Sequence, residues 1–158
     1  MAYSAMTKRS AGYVVPASEW NQLIDNDAYL KTQADTAQLI VKVIPDTDSI
    51  TTGDGKMYLT IPAWITTWNL TDFDICVYTV SSSGTPTVML HNLTDTQDML
   101  STAATVDANE YSSYTAATAP VINTSYDDVA TGDRLRFDVD VSGTGAKGLE
   151  AHAQFRPA

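Results

Sequence analysis

A chain of 158 residues suits one medium domain with an appendage, and its formal net charge of −10 sits mostly after residue 41: residues 1–41 hold three basic and four acidic side chains, residues 42–158 six and fifteen. A surface of that sign repels phosphate backbones, and no basic stripe with interleaved aromatics relieves it, so nucleic acid is excluded as an expected partner. Cys76 is the only cysteine, which excludes an intrachain disulfide, and no stretch approaches the ~20 apolar residues of a membrane span, so no membrane insertion is expected.

Residues 1–17 mix small, polar and basic side chains without periodicity and read as an extended arm, either ordering on a partner or fraying. No apolar core of a signal peptide stands among them, so the expected place of synthesis is the cytoplasm of the producing cell. Pro16, Ser18 and Glu19 then signal a helix start, Ser18 as the cap and Glu19 facing the positive helix end. A helix over 18–41 follows, because Trp20, Leu23, Asp27, Leu30, Ala34, Ala37 and Val41 recur at alternating steps of three and four along one seam. Interrupted by Asp27 and poor in large side chains after Leu30, that seam needs help to stay folded. Self-association, docking on another surface, and folding back on its own domain all remain open.

Residues 42–158 read as an antiparallel β-sandwich. Leu39 to Ile44 is a β-branched run that Pro45 ends, a first strand or a connection into the sheet. Asp46 to Gly55 is rich in turn formers; it lacks the alternate ligands and twelfth-position Glu of an EF-hand loop, so a solvated turn is expected. Strands are then expected over Lys56 to Ile61, Asp72 to Val80, Thr87 to Leu93, Asp133 to Val141 and Leu149 to Phe155. Asp133 to Val141 carries the strongest pattern: Leu135, Phe137, Val139 and Val141 should face a core while Arg134, Arg136, Asp138 and Asp140 face water. Cys76, beside Ile75 and Val77, should be a small packed side chain. Ser81 to Pro86 and Ser142 to Gly148 read as long hairpin connections, and Trp68 as a cover over one end of the core.

Chemistry-bearing constellations are scarce. His91 and His152 have no Cys, His or Glu at metal-ligand spacing, and the pairs Asp72 with Asp74, Asp127 with Asp128 and Asp138 with Asp140 read as solubility charges. There is no G-x-S-x-G, P-loop or dinucleotide fingerprint. No catalytic residue, metal ligand or cofactor is expected, and the chain is expected not to be an enzyme. Tyr111, Tyr114 and Tyr126, in the polar stretch 106–129, are the candidate ligand contacts: either a sugar-stacking platform or, preferred, rings pinning a loop to the core.

Gly12-Tyr13-Val14-Val15-Pro16-Ala17-Ser18-Glu19-Trp20-Asn21, with Leu23, Asn26 and Leu30, resembles a segment near the start of many tailed-phage virion proteins, Pro16 standing where that pattern has Thr. Gly55 to Pro62, Val80 to Val88, Asp98 to Thr102, Asp127 to Arg136 and Gly145 to Leu149 are similar to a C-terminal module of phage structural proteins. The resemblance implies a mainly β chain: a jelly-roll-like antiparallel sandwich, preceded by an N-terminal arm and one helix, displayed on the virion as a homotrimer. It implies a capsid decoration or short head fibre, with Tyr13, Val14, Val15, Trp20, Leu23 and Leu30 as attachment or oligomerisation residues and a capsid or tail structural protein as partner. The alternative is a receptor- or carbohydrate-binding module of a tail appendage, its partner a host surface glycan.

Overall fold

A computed structural model describes residues 16–158, and for 31–34 the backbone alone. The chain divides between Thr36 and Ala37 into two units. In the first, helix α1 spans Ala17–Ala34. It starts one residue earlier than Ser18 predicts: the Pro16 carbonyl accepts the Glu19 and Trp20 amides at 3.0 and 3.2 Å, and Ser18 lies within the first turn. It also ends earlier. Ala37 and Val41, placed on the helical seam by their spacing, are buried in a strand, because a β-branched run that can pair with a sheet outweighs a weak heptad. Trp20, Leu23, Ile24 and Leu30 are all exposed on α1, Ile24 by 63%.

The second unit is built from β1 (Ala37–Ser49), β2 (Gly53–Thr60), β3 (Trp68–Thr79), β4 (Thr87–Asn92), β5 (Gln97–Asp98), β6 (Leu100–Thr102), β7 (Ala104–Thr105), β8 (Val121–Ile122), β9 (Asp128–Val129), β10 (Arg134–Val141) and β11 (Lys147–Pro157). One sheet has the order β1-β11-β3-β9 and the other β2-β10-β4-β5, with β7 also on β4 and a small β6-β8 ribbon beside them. All pairings are antiparallel. From β1 to β4, and again from β9 to β11, each successive strand lies in the opposite sheet. That interleaving of a four-stranded and a five-stranded sheet makes a jelly-roll-like antiparallel sandwich.

The core is what the period-two alternation dictates. Phe73 and Ile75 of β3 and Leu149, Ala151, Ala153 and Phe155 of β11 face Val88 and Leu90 of β4 and Leu135, Phe137 and Val139 of β10, all of them buried. Phe73 and Phe137 stack across the two sheets with centroids 6.3 Å apart, each buried ring contributing about 2–3 kcal/mol by removal from water. Ala151 and Ala153 are small because β11 runs through the middle of its sheet, between β1 and β3, where the phenylalanines take up the space. Trp68 is half-buried against the core and edge-on to Trp64 at 6.4 Å.

Bulges account for the residues that break the pattern. In β2 the register moves from Met57 opposite Phe137 to Gly53 opposite Val139, so extra β2 residues arch over Asp138. The Gly55 amide then donates to Asp138 Oδ1 at 2.8 Å, and Arg136 donates to Oδ2 through Nη2 at 2.7 Å and Nε at 3.0 Å. Asp138 is therefore buried and paired, not exposed as its place in the alternation predicts. Val141, expected inside, is exposed because the β10–β4 register slips after Val139. β1 runs past Pro45 to Ser49: as an edge strand with a bulge between Ile44 and Ser49, it does not need the amide that proline lacks.

Candidate functional site

The densest polar network lies on the outer face of the β1-β11-β3 sheet. Alternation turns Glu150, His152 and Gln154 of β11 outward, and register sets them opposite Cys76, Asp74 and Asp72 of β3. On the other side, Lys42 of β1 stands opposite Glu150 and Ile40 opposite His152. Cys76 is thus a half-exposed residue of this face, not a packed one, because it shares its parity with the outward aspartates. Burial, then the Glu150 and Asp74 charges, push its thiol upward, the opposite of what an attacking thiolate needs.

The segment around Tyr111–Tyr114 runs alongside the free part of β3. Val77 N–H donates to the Tyr111 carbonyl at 2.8 Å, and Cys76 forms an isolated bridge with Ser112. Ser113 is buried; its hydroxyl accepts the Ile75 amide at 3.0 Å and donates to Asp74 Oδ1 at 2.7 Å. The side chain thereby supplies a sheet partner where the backbone has turned away into a 3-10 turn over Ser113–Thr115. From the next position Tyr114 reaches across β3, and its hydroxyl meets His152 Nδ1 at 3.0 Å. Desolvation, helped by the acidic neighbourhood, raises the phenol's pKa.

His152 joins two ends of one chain of contacts. Its Nε2 lies 2.8 Å from Glu150 Oε1, so a proton placed on Nε2 leaves Nδ1 to accept the Tyr114 hydroxyl. Glu150 Oε2 is 3.1 Å from Lys42 Nζ, which also bonds Asp46 Oδ1 at 2.7 Å. Hydrogen bonds from His152 and then Lys42 hold the Glu150 carboxyl below its ordinary range, and Asp46 and then Glu150 hold the Lys42 ammonium above its own. Beside this chain runs a groove lined by Lys42, Asp46, Cys76, Tyr78, Gly148 and Glu150. Gly148 lines it at φ +62°, with Asp46 and Tyr78 packed so closely that an added Cβ would meet both.

Of the candidate ligand contacts, Tyr111 and Tyr114 come together beside β3 and both are exposed. Tyr126 does not join them: it lines a separate groove with Asn92, Asp95, Gln97 and Asp128. There, Asn92 donates to Asp95 Oδ2 at 2.8 Å and Asp133 Oδ2 at 3.4 Å, and Asp133 Oδ2 also accepts the Ala130 amide at 2.8 Å, an arrangement that ties loops together. Burial, and then Asp133 and Asp128, raise the Asp95 carboxyl. Trp20, Leu23 and Leu30 are exposed on α1, and Tyr13, Val14 and Val15 lie outside the described residues. Among the described residues, no three His, Cys, Asp or Glu side chains gather as a metal site.

His152, without metal-ligand spacing, is expected to be a satisfied surface histidine, and Glu150 and Tyr114 are the partners that satisfy it. Its i, i+2 spacing from Glu150 already places the two on one strand face, a readable signal; Lys42 and Tyr114, 110 and 38 residues away, required the register and the loop path. Tyr78 was readable too, as the outward aromatic ending the β3 alternation. No protein family, curated protein or solved structure matches this chain.

Proposed function

We propose that this protein is a non-enzymatic structural component of a tailed-phage virion, a capsid decoration or short head fibre, attached through its N-terminal segment and α1 and displaying the jelly roll outward. The observation that carries this reading is the division of labour along the chain. The sandwich encloses an apolar core of its own, with Ile40, Trp64 and Tyr78 left exposed on it, and α1 presents Trp20, Leu23, Ile24 and Leu30 to solvent. Four large apolar side chains on 18 helical residues cost free energy in water and are offset when another surface covers them. The heptad-like steps from Trp20 to Leu23 to Asp27 to Leu30 fit the same helix of two further copies, with Asp27 setting register at the expense of stability.

The test has two arms. Light scattering on the purified chain should give three times the 17.1 kDa chain mass, and Leu23→Asp with Leu30→Asp should return it to one. Removing residues 1–17 should prevent incorporation into particles while circular dichroism still reports the sandwich. Retained incorporation by that truncation refutes the attachment role, and a monomeric parent chain refutes the trimer.

A further inference from the structure

We propose that the outer face of the β1-β11-β3 sheet binds a neutral or N-acetylated oligosaccharide, which lies in the groove beside Tyr78, with Glu150, Lys42 and Asp46 on its hydroxyls, and extends along the strands to Tyr114 at the His152 rung. This goes beyond the attachment role, which concerns the other end of the chain.

Three rungs of the sheet set the layout. Tyr114 meets His152 at the Asp74 rung; Glu150 and Cys76 form the next; Tyr78 stands beside Gly148 at the third. From His152 to Gly148 is four residues, roughly 13 Å at the rise of a strand. Two tyrosines, 65% and 63% exposed, therefore bracket a polar middle. Side chains this exposed are usually mobile, but the Tyr114 hydroxyl is tied to His152, so its ring is held while its surface stays open. An aromatic face carries partial negative charge, which attracts the weakly positive C–H faces of a pyranose, and the polar residues between suit the hydroxyls at its edges.

The hydrogen-bonding capacity also fits. An ammonium has three donors, and Lys42 uses two of them, on Asp46 and Glu150. One N–H remains, and the second oxygen of Asp46 has no hydrogen bond among the described residues. A hydroxyl, which both donates and accepts, can satisfy the two together. Charge selects the class of sugar: one cation stands against two carboxylates here, within a chain of net −10, so phosphorylated or sialylated glycans are repelled. Gly148 at the Tyr78 end admits no side chain, because a Cβ there would meet Asp46 and Tyr78.

The whole chain is applied to an array of neutral, N-acetylated, sialylated and phosphorylated oligosaccharides, and the best neutral or N-acetylated glycan is carried into titration calorimetry. Binding to that class is expected, weakened about tenfold or more by Tyr78→Ala and by Tyr114→Ala, the scale of one lost aromatic contact. Tyr78→Phe keeps the ring face and should stay within about twofold, as should Tyr126→Ala in the separate groove. Absence of neutral-glycan binding, preference for the anionic glycans, indifference to Tyr78→Ala and Tyr114→Ala, or loss with Tyr126→Ala each overturns the proposal. Particle incorporation is a separate readout, so failure of the attachment role and failure of this site are distinguishable.

Discussion

Gly148→Ala isolates how tightly β1 is folded onto β11. Gly148 has φ +62°, where an L side chain costs about 1–2 kcal/mol from its own backbone. A Cβ there would also stand 2.7 Å from Asp46 Cα and 2.8 Å from Tyr78 Cβ, atoms fixed by backbone on both neighbouring strands. Forcing those strands apart adds about 1–3 kcal/mol of overpacking, for roughly 2–5 kcal/mol in all. Gly145 is the internal control: its φ is +75° but nothing lies within 4 Å of an added Cβ, so Gly145→Ala should cost only the backbone part, about 1–2 kcal/mol. In thermal unfolding followed by circular dichroism, a domain of this size loses roughly 3–4 °C per kcal/mol, giving falls of about 6–20 °C and about 3–8 °C respectively. If Gly148→Ala costs no more than Gly145→Ala, the close approach of the Asp46 bulge is not what makes glycine necessary there.

Arg136→Ala should destabilise by about 3 kcal/mol in urea unfolding, because Asp138, with only 7% of its side chain exposed, would keep one amide partner and lose its counter-charge; the figure sits at the low end because Arg136 itself is 21% exposed. Asp138→Asn in the same background should recover part of that loss, and its failure to do so would mean that packing by the arginine stem, not charge, is the cause. Glu150 gives a pH dependence whose sign is fixed. Its folded pKa lies below the ordinary value of 4.5, so its stabilisation is complete above that value and is lost as pH falls through the depressed one. Glu150→Gln should therefore lower stability at pH 7 and flatten the acid limb of the stability profile, and an acid limb unchanged by the substitution would refute the link to His152 and Lys42.

Period-two alternation made the sandwich readable. Residues 133–141 and 149–155 could bury one face only as strands, and the expected strands over 56–61, 72–80 and 87–93 all overlap observed ones. The short strands β5 to β9 were not readable, because two or three residues cannot show a period and their pairing depends on where the 93–133 connection is carried. Separation of α1 from β1 was read less well. Ala34, Ala37 and Val41 satisfy a helical seam and, with their neighbours, a strand, and pairing with Phe155, Ala153 and Ala151 of β11 decides it for Ala37 to Val41.

By itself, the sequence determined the fold class, the buried faces of the long strands and the acidity of the surface, because each follows from the order of side chains along a pleated backbone. Only the tertiary structure decided that Asp138 is buried, that Cys76 looks outward and that Tyr114, His152, Glu150 and Lys42 form one connected face. Those outcomes depend on bulges in β1 and β2 and on strand register, which bring together residues up to 110 positions apart; local periodicity carries no record of such distances.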